Sequence, residues 1–173
     1  MKNLIKYLFF LGVFVVASCA KDDIETKRLS PDHFFVTFET QNGNFKSLTV
    51  NENKTVTVGV TIAATKGAAV TVVVEIVPPE EVLFPQSAEY KVLDMEDPAN
   101  VLIDNTQEIG SITLTFPEGT GSQSFKFVPV DNTIKDGNRT FTARIRSNSA
   151  NYKIGVDGSE EGATMPILVK DND

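Results

Sequence analysis

The chain has 173 residues, which suits one domain with a short tether, and 41% of them are hydrophobic, as expected when a core is buried. Its net charge is −7, with 16 Lys and Arg against 23 Asp and Glu. Phosphate binding needs clustered Lys and Arg, whereas these are scattered, so the balance argues against a nucleic-acid partner. A single Cys excludes an internal disulfide and any Cys-based metal cluster.

Residues 1–18 have the pattern of an export signal. Lys2 and Lys6 precede an apolar run over residues 8–17, and small residues lead into Cys19. The run is too short to cross a bilayer core of about 30 Å as a mature helix. We therefore expect residues 1–18 to be a lipoprotein signal peptide that is removed.

The stretch "VASC" resembles the lipobox of bacterial lipoproteins, which implies that Cys19 is acylated and becomes the new N-terminus. The alternative is an ordinary signal peptide followed by an incidental Cys. Residues 19–32 are polar and non-periodic after Cys19, which predicts a flexible tether. Lys21, Asp22 and Asp23 resemble the signal that members of the Bacteroidetes use for surface lipoproteins. This implies a lipid-anchored protein of the outer membrane, exposed at the cell surface.

Residues 33–173 alternate between apolar and polar positions in several short segments, which is typical of half-buried β-strands. Turn-forming pairs such as Pro78-Pro79 separate the segments. The pattern predicts an all-β domain, an immunoglobulin-like antiparallel β-sandwich. The predicted inward residues are Val56, Val58, Val60, Ile62, Val70, Val72, Val74, Ile76, Ile112, Leu114, Phe116, Phe125, Phe127, Phe141, Ala143, Ile145, Met165, Ile167 and Val169.

One stretch, "DMEDPANVLIDNTQE" over residues 94–108, interrupts this alternation. It is acidic and contains Pro98, so we interpret it as an inserted loop. Its short apolar segment, residues 101–103, is either an edge strand or a strap across the sandwich.

In order along the chain, "FVTFETQNGNFKSLTVNENKTVTVGVTI", "AEYKVL", "ITLTFPEGTGSQSFKFVPVDN", "IKDGNRTFTARIRS" and "ILVKDND" resemble the Calx-beta domain. This is the sandwich repeat of sodium/calcium exchangers and of many bacterial surface proteins. The resemblance covers residues 36–173 and implies that calcium, the candidate cofactor, binds at one end of the sandwich. Ca²⁺ takes six to eight oxygen ligands at about 2.3 to 2.6 Å. The positions that match the ligands are Glu52, Asp131, Asp136, Asp171 and Asp173.

Two positions depart from the pattern of that family. Glu89 precedes Tyr90 where an aspartate is usual, and Arg139 stands where a glutamate is frequent. A guanidinium inside a carboxylate cluster repels Ca²⁺ or replaces it by pairing with a carboxylate. Two alternatives follow: a calcium site with Arg139 pointing elsewhere, or a salt-bridged cap in which Arg139 pairs with the carboxylates.

No catalytic motif is evident. His33 is the only His and has no sequence partners for a triad. There is no Gly-rich phosphate loop and no HExxH motif, and the carboxylate pairs Glu80-Glu81 and Asp94 with Glu96 are expected by chance in an acidic chain. Sugar binding would recruit exposed aromatic rings, and Tyr90 and Tyr152 are the candidates in a chain without Trp.

The sequence thus predicts a non-enzymatic cell-surface lipoprotein, a binding or structural module. Such a module would serve glycan or nutrient capture or adhesion, with a protein or a glycan as partner and the membrane contacted through the lipid anchor. The competing hypothesis is a small surface or periplasmic hydrolase.

Overall fold

The computed structural model describes residues 34–40, 47–62, 68–80 and 85–173. Every described residue belongs to one compact unit, His33–Asp173. The predicted signal peptide, Cys19, the tether and His33 lie outside the described residues, so these interpretations stay predictions. Within the described ranges, no helix is both long and apolar enough to span a membrane.

Eleven strands in the described ranges form two sheets. The six-stranded sheet has the order β10-β1-β3-β8-β5-β6, and the five-stranded sheet has the order β2-β11-β9-β4-β7. Two short 3-10 helices, Pro85–Ala88 and Val156–Gly158, lie in connections. The strands are β1 Phe35–Phe38, β2 Leu48–Asn51, β3 Val56–Ile62, β4 Val70–Val77, β5 Tyr90–Asp94, β6 Val101–Thr106, β7 Gly110–Phe116, β8 Ser122–Pro129, β9 Arg139–Asn148, β10 Lys153–Ile154 and β11 Thr164–Lys170.

The alternation in the sequence corresponds to burial between the two sheets. Along β4, for example, Val70, Val72, Val74 and Ile76 are buried, and the residues between them are half-buried. All of the predicted inward residues are buried except Val56, which is half-buried against the core. Branched side chains on one face of each strand pack well against a facing sheet. The all-β, immunoglobulin-like sandwich is confirmed.

Strand pairing is antiparallel through most of both sheets, with two parallel pairs. Strand β1 runs parallel to β10, and β2 runs parallel to β11 with Leu48 opposite Ile167 and Val50 opposite Val169. Each parallel pair includes a short strand at the edge of its sheet. The parallel pair β2–β11 brings the residue after β2 beside the end of β11, and this position matters for the candidate site.

The stretch over residues 94–108 is more ordered than a loop, because it contains a turn and the edge strand β6. Asp94 Oδ1 accepts the backbone N–H groups of Glu96 and Asp97, at 2.8 and 3.1 Å. The backbone N–H of Asp94 donates to the carbonyl of Asn100 at 3.0 Å and so connects β5 to β6. Of the two alternatives for residues 101–103, the structure has the edge strand.

Candidate functional site

The five carboxylates that match the calcium ligands lie at one end of the sandwich, here called the carboxylate end. Glu52 follows β2, Asp131 and Asp136 lie in the connection between β8 and β9, and Asp171 and Asp173 follow β11. Strand pairing brings these positions together. Val169, near the end of β11, is opposite Arg139 at the start of β9, and Lys170 is opposite Asn51 at the end of β2.

The turn after β2 fixes Glu52 in the interior. The backbone N–H of Glu52 donates to the carbonyl of Lys170 at 3.2 Å, and that of Asn53 donates to the carbonyl of Pro129 at 3.1 Å. Asn53 has a φ of 50°, a left-handed conformation that Asn tolerates better than most residues. The turn is therefore bonded to β11 and to β8, and the Glu52 side chain is fully buried.

Arg139, the first residue of β9, holds the carboxylate end together. Its Nη2 donates to Glu52 Oε1, and its Nη1 donates to Asp136 Oδ1 at 2.9 Å. The three side chains are 5%, 0% and 2% exposed, in the order Arg139, Glu52 and Asp136. Of the two alternatives raised by the sequence, pairing of Arg139 with carboxylates is what the structure has. The pairing involves Glu52 and Asp136, while Asp171 and Asp173 lie outside it.

Two residues that sequence reasoning missed complete this network. Asn132 Nδ2 donates to Glu52 Oε1 and to Asp136 Oδ2, both at 3.2 Å, and its Oδ1 accepts the backbone N–H of Ile134 at 2.7 Å. The Ser87 hydroxyl donates to Asp136 Oδ2. Asn132 stands next to Asp131 in the sequence, so the "VDN" stretch offered a signal for it. Ser87, at the 3-10 helix before β5, offered none.

The network does not fully compensate for the burial of the Glu52 carboxylate. The pKa of Glu52 is raised, and burial is the largest cause, while the hydrogen bond and charge of Arg139 lower it. The charges of Asp136 and Asp171 raise it further. Two buried side-chain atoms in the described part of the chain have no hydrogen-bond partner, Glu52 Oε2 and Arg139 Nε. A buried polar atom without a partner costs about 1 to 3 kcal/mol.

Glu52 also belongs to a group of three carboxylates at this end, of which it is the buried member. One carboxylate oxygen each from Glu52, Asp131 and Asp173 lies within 4.8 Å of the other two. Oxygens bound to one Ca²⁺ at about 2.4 Å can be separated by at most about 4.8 Å. Asp131 and Asp173 are exposed. The donor set therefore fits a hard cation that reaches it from solvent, although three protein ligands are fewer than Ca²⁺ takes.

Asp171 has a different role, because it organises backbone. Its Oδ2 accepts the N–H of Gly137 at 2.7 Å, and its Oδ1 accepts the N–H of Asp173 at 2.9 Å. These bonds lower the pKa of Asp171, first through Asp173 and then through Gly137. The bond to Gly137 ties the segment after β11 to the loop before β9. The five predicted ligands thus have three roles. Glu52 and Asp136 belong to the buried network, Asp131 and Asp173 are exposed beside Glu52, and Asp171 stabilises a turn.

Tyr90 is not available as a sugar-binding ring, and that interpretation was wrong. It is fully buried, and its hydroxyl donates to the carbonyl of Glu108 at 2.9 Å and lies 3.3 Å from the carbonyl of Ile76. Burial raises its pKa to about 12. Its ring lies 5.7 Å from that of Phe127 and 5.6 Å from that of Phe141. The hydroxyl finds carbonyl partners inside the protein, so this Tyr is part of the core.

No protein-family model matches the chain, and no curated protein matches it. Among solved structures, it is similar to calcium binding domain CBD12 of CALX1.1 and to CBD12 from CALX1.2. Each has a TM-score of 0.55 and 18% identity over 80% of this chain. The chain spans less than half of either, 46% and 44%. The Calx CBD2 domain gives a TM-score of 0.50 and 10% identity, with 80% of this chain and 87% of that one covered. The chain therefore has a Calx-beta-like fold.

Proposed function

We propose that this protein is a non-enzymatic binding or structural module, held at the outer membrane by a lipid on Cys19 and facing outward. The observation that carries the non-enzymatic part is the closed network of Glu52, Arg139 and Asp136. Reacting groups must reach a substrate. These side chains are instead buried, and most of their polar atoms are bonded to one another, to Asn132 or to Ser87. They serve to close one end of the sandwich.

The rival hydrolase would need two carboxylates in a cleft, one of them able to donate a proton. Asp94 and Glu96 do line a groove of about 320 Å³. However, the backbone N–H groups of Asp97 and Glu96 lower the pKa of Asp94, whereas a general acid needs a raised one. The groove is accordingly a poor hydrolytic site.

Enzyme assays test the non-enzymatic part directly. We expect the purified full chain to show no turnover on panels of polysaccharide and peptide substrates. The double variant Asp94→Asn with Glu96→Gln is the matched control. Turnover that disappears in this variant would establish the hydrolase instead.

The anchor is tested by metabolic labelling with an alkyne analogue of palmitate. The wild-type chain should carry the label and partition with the outer membrane, and Cys19→Ala should lose both properties. Digestion of intact cells with a protease then reports orientation, because an outward-facing domain is degraded while periplasmic proteins survive. An unlabelled wild-type chain would contradict the anchor, and a labelled but protected chain would contradict surface exposure.

A second candidate function is calcium binding at Glu52, Asp131 and Asp173. It is favoured by the proximity of their oxygens and by the unpartnered Glu52 Oε2, and one structural neighbour is named as a calcium binding domain. Titration calorimetry with CaCl₂ should show heat that Asp173→Asn abolishes. The matched control is Asp104→Asn, at an exposed position on β6. If wild type shows neither heat nor thermal stabilisation at millimolar calcium, this candidate is wrong.

A further inference from the structure

In the part of the chain that the structure describes, the exposed large hydrophobic side chains fall in one stretch of sequence. All of the large hydrophobic side chains exposed in the described ranges lie between residues 95 and 109, with exposures of 37 to 54%. They are Met95, Val101, Leu102 and Ile109. Scattered exposed hydrophobic residues are ordinary, but a local concentration of them marks an interaction surface.

The same stretch forms an open sheet edge. Strand β6 is the last strand of the six-stranded sheet, and β7, which follows it in the chain, is the last strand of the five-stranded sheet. A groove of about 320 Å³ is lined by residues of both sheets, including Leu102 of β6 and Thr113 and Thr115 of β7. An edge strand presents backbone N–H and C=O groups that can pair with another chain.

This edge is strongly negative. The stretch over residues 94–109 contains five carboxylates and no Lys or Arg, so it supplies most of the net charge of −7. Lys126 of β8 is near enough to act on Asp94, and Lys91 lies on β5, which pairs with β6, but two cations leave the balance negative. The five are Asp94, Glu96, Asp97, Asp104 and Glu108.

We propose that β6 and its groove bind an extended segment of a partner protein, which adds to the sheet as a further strand. The segment carries apolar side chains that contact Leu102 and Lys or Arg side chains that face the carboxylates. Because Asp94 and Glu96 line the same groove as Leu102, both kinds of side chain lie on one face of the added strand, two positions apart. Main-chain hydrogen bonds supply affinity in strand addition, and alternate side chains supply specificity. The added strand pairs mainly along Val101–Asp104, since the pairing of β5 with β6 is irregular and Asn105 has a φ of 23°.

Two other occupants fit the surface less well. A second copy of this chain would bring its own β6 carboxylates against these, which is repulsive. A glycan would favour exposed aromatic rings, and the exposed hydrophobic residues at this edge are Met, Val, Leu and Ile. The inference goes beyond the proposed module, because it uses no residue of the carboxylate end and does not depend on calcium.

Selection of a displayed library of random twelve-residue peptides on the full chain tests this inference. We expect enrichment of peptides in which Lys or Arg stands two positions from Val, Ile or Leu, so that both face the groove. Amide hydrogen exchange of the wild-type complex with a selected peptide should show new protection at residues 101–104. Affinity should fall at least tenfold in the double variant Leu102→Ser with Asp104→Lys. It should be unchanged in Glu160→Lys, an exposed position near β10 at the opposite edge of the sheet.

The exchange measurement keeps the test valid if the double variant unfolds. Selection of acidic peptides or of none, protection elsewhere in the sandwich, or equal weakening by Glu160→Lys would each overturn the inference. So would a concentration-dependent dimer whose exchange protection falls on β6, because the occupant would then be a second copy. If the wild-type chain binds sugars on a glycan array and the double variant does not, the edge is a sugar-binding site instead.

Discussion

Arg139 and Glu52 form a buried ion pair between the first residue of β9 and the turn after β2. Asp136 shares the guanidinium, so one internal cation faces two carboxylates. Bringing these carboxylates together without a cation would be costly, because like charges raise one another's free energy when buried. The protein therefore carries its own cation at the carboxylate end of the sandwich.

Replacing Arg139 by Met should destabilise the fold by about 3 to 5 kcal/mol, because Glu52 is left buried without its charge partner. Urea unfolding at neutral pH measures this loss. The double variant Glu52→Gln with Arg139→Met should recover part of it, since the uncompensated charge is removed. A loss below about 1 kcal/mol in the single variant would mean that the pair is solvated like a surface salt bridge.

Removing Arg139 should also create a dependence on calcium. In Arg139→Gln, the carboxylates of Glu52, Asp136, Asp131 and Asp173 have no internal cation, and Ca²⁺ supplies one. Thermal unfolding should therefore show a larger rise of Tm with millimolar CaCl₂ in Arg139→Gln than in wild type. Arg144→Gln, which removes a half-exposed cation paired with Glu75, is the matched control. Equal shifts in both variants would contradict the prediction.

Gly155 should not tolerate a side chain. Its φ is 80°, and a Cβ there would clash with the backbone carbonyl oxygen of Ser159. We expect Gly155→Ala to lower the free energy of unfolding by more than the about 1 to 2 kcal/mol that a left-handed conformation costs by itself. Gly119 has a φ of 79° with open space around it, so Gly119→Ala measures the conformational cost alone. Similar losses in the two variants would show that the backbone at Gly155 moves to make room.

Asp171 should stabilise the fold in a pH-dependent way. Its pKa is lowered from an ordinary value of 3.8, so its contribution is present above pH 3.8 and is lost as the pH falls through the lowered pKa. Asp171→Asn should be less stable than wild type at neutral pH, and the difference should shrink below pH 3.8. Denaturant unfolding from pH 2 to pH 7 measures this, with Glu160→Gln as the control. A difference that is constant with pH would indicate an effect of shape instead of charge.

The alternation of apolar residues was enough to predict most of the sandwich, because one face of each long strand is buried and the other is not. It did not predict β10, which has two residues and no period to detect. It also did not predict the parallel pairs, since pairing partners depend on tertiary geometry. Sequence reasoning also treated Tyr90 as an exposed ring, although Val92, two positions further along β5, is buried on the same face. That two-residue spacing was visible in the sequence.

At the carboxylate end, sequence reasoning named five carboxylates that lie there, but it missed Asn132 and Ser87 and could not decide which side chains pair. Whether Arg139 points into the cluster depends on the direction of one side chain at the first residue of β9, and either direction agrees with the pattern. The roles of Asn132 and Ser87 depend on distances of about 3 Å, typical of hydrogen bonds, across connections that carry no periodic signal. Such a network becomes visible only in three dimensions.

The position of β11 has a consequence for folding. In the five-stranded sheet it lies between β2 and β9, and its partner Leu48 is separated from Ile167 by 119 positions along the chain. A loop of that span must close before β2 acquires a neighbour, so the topology has a high contact order and folding is expected in milliseconds to seconds. Until then β2 is an unpaired strand that other unfolded copies can capture. Aggregation during refolding should therefore begin at Leu48–Asn51, in competition with the arrival of β11.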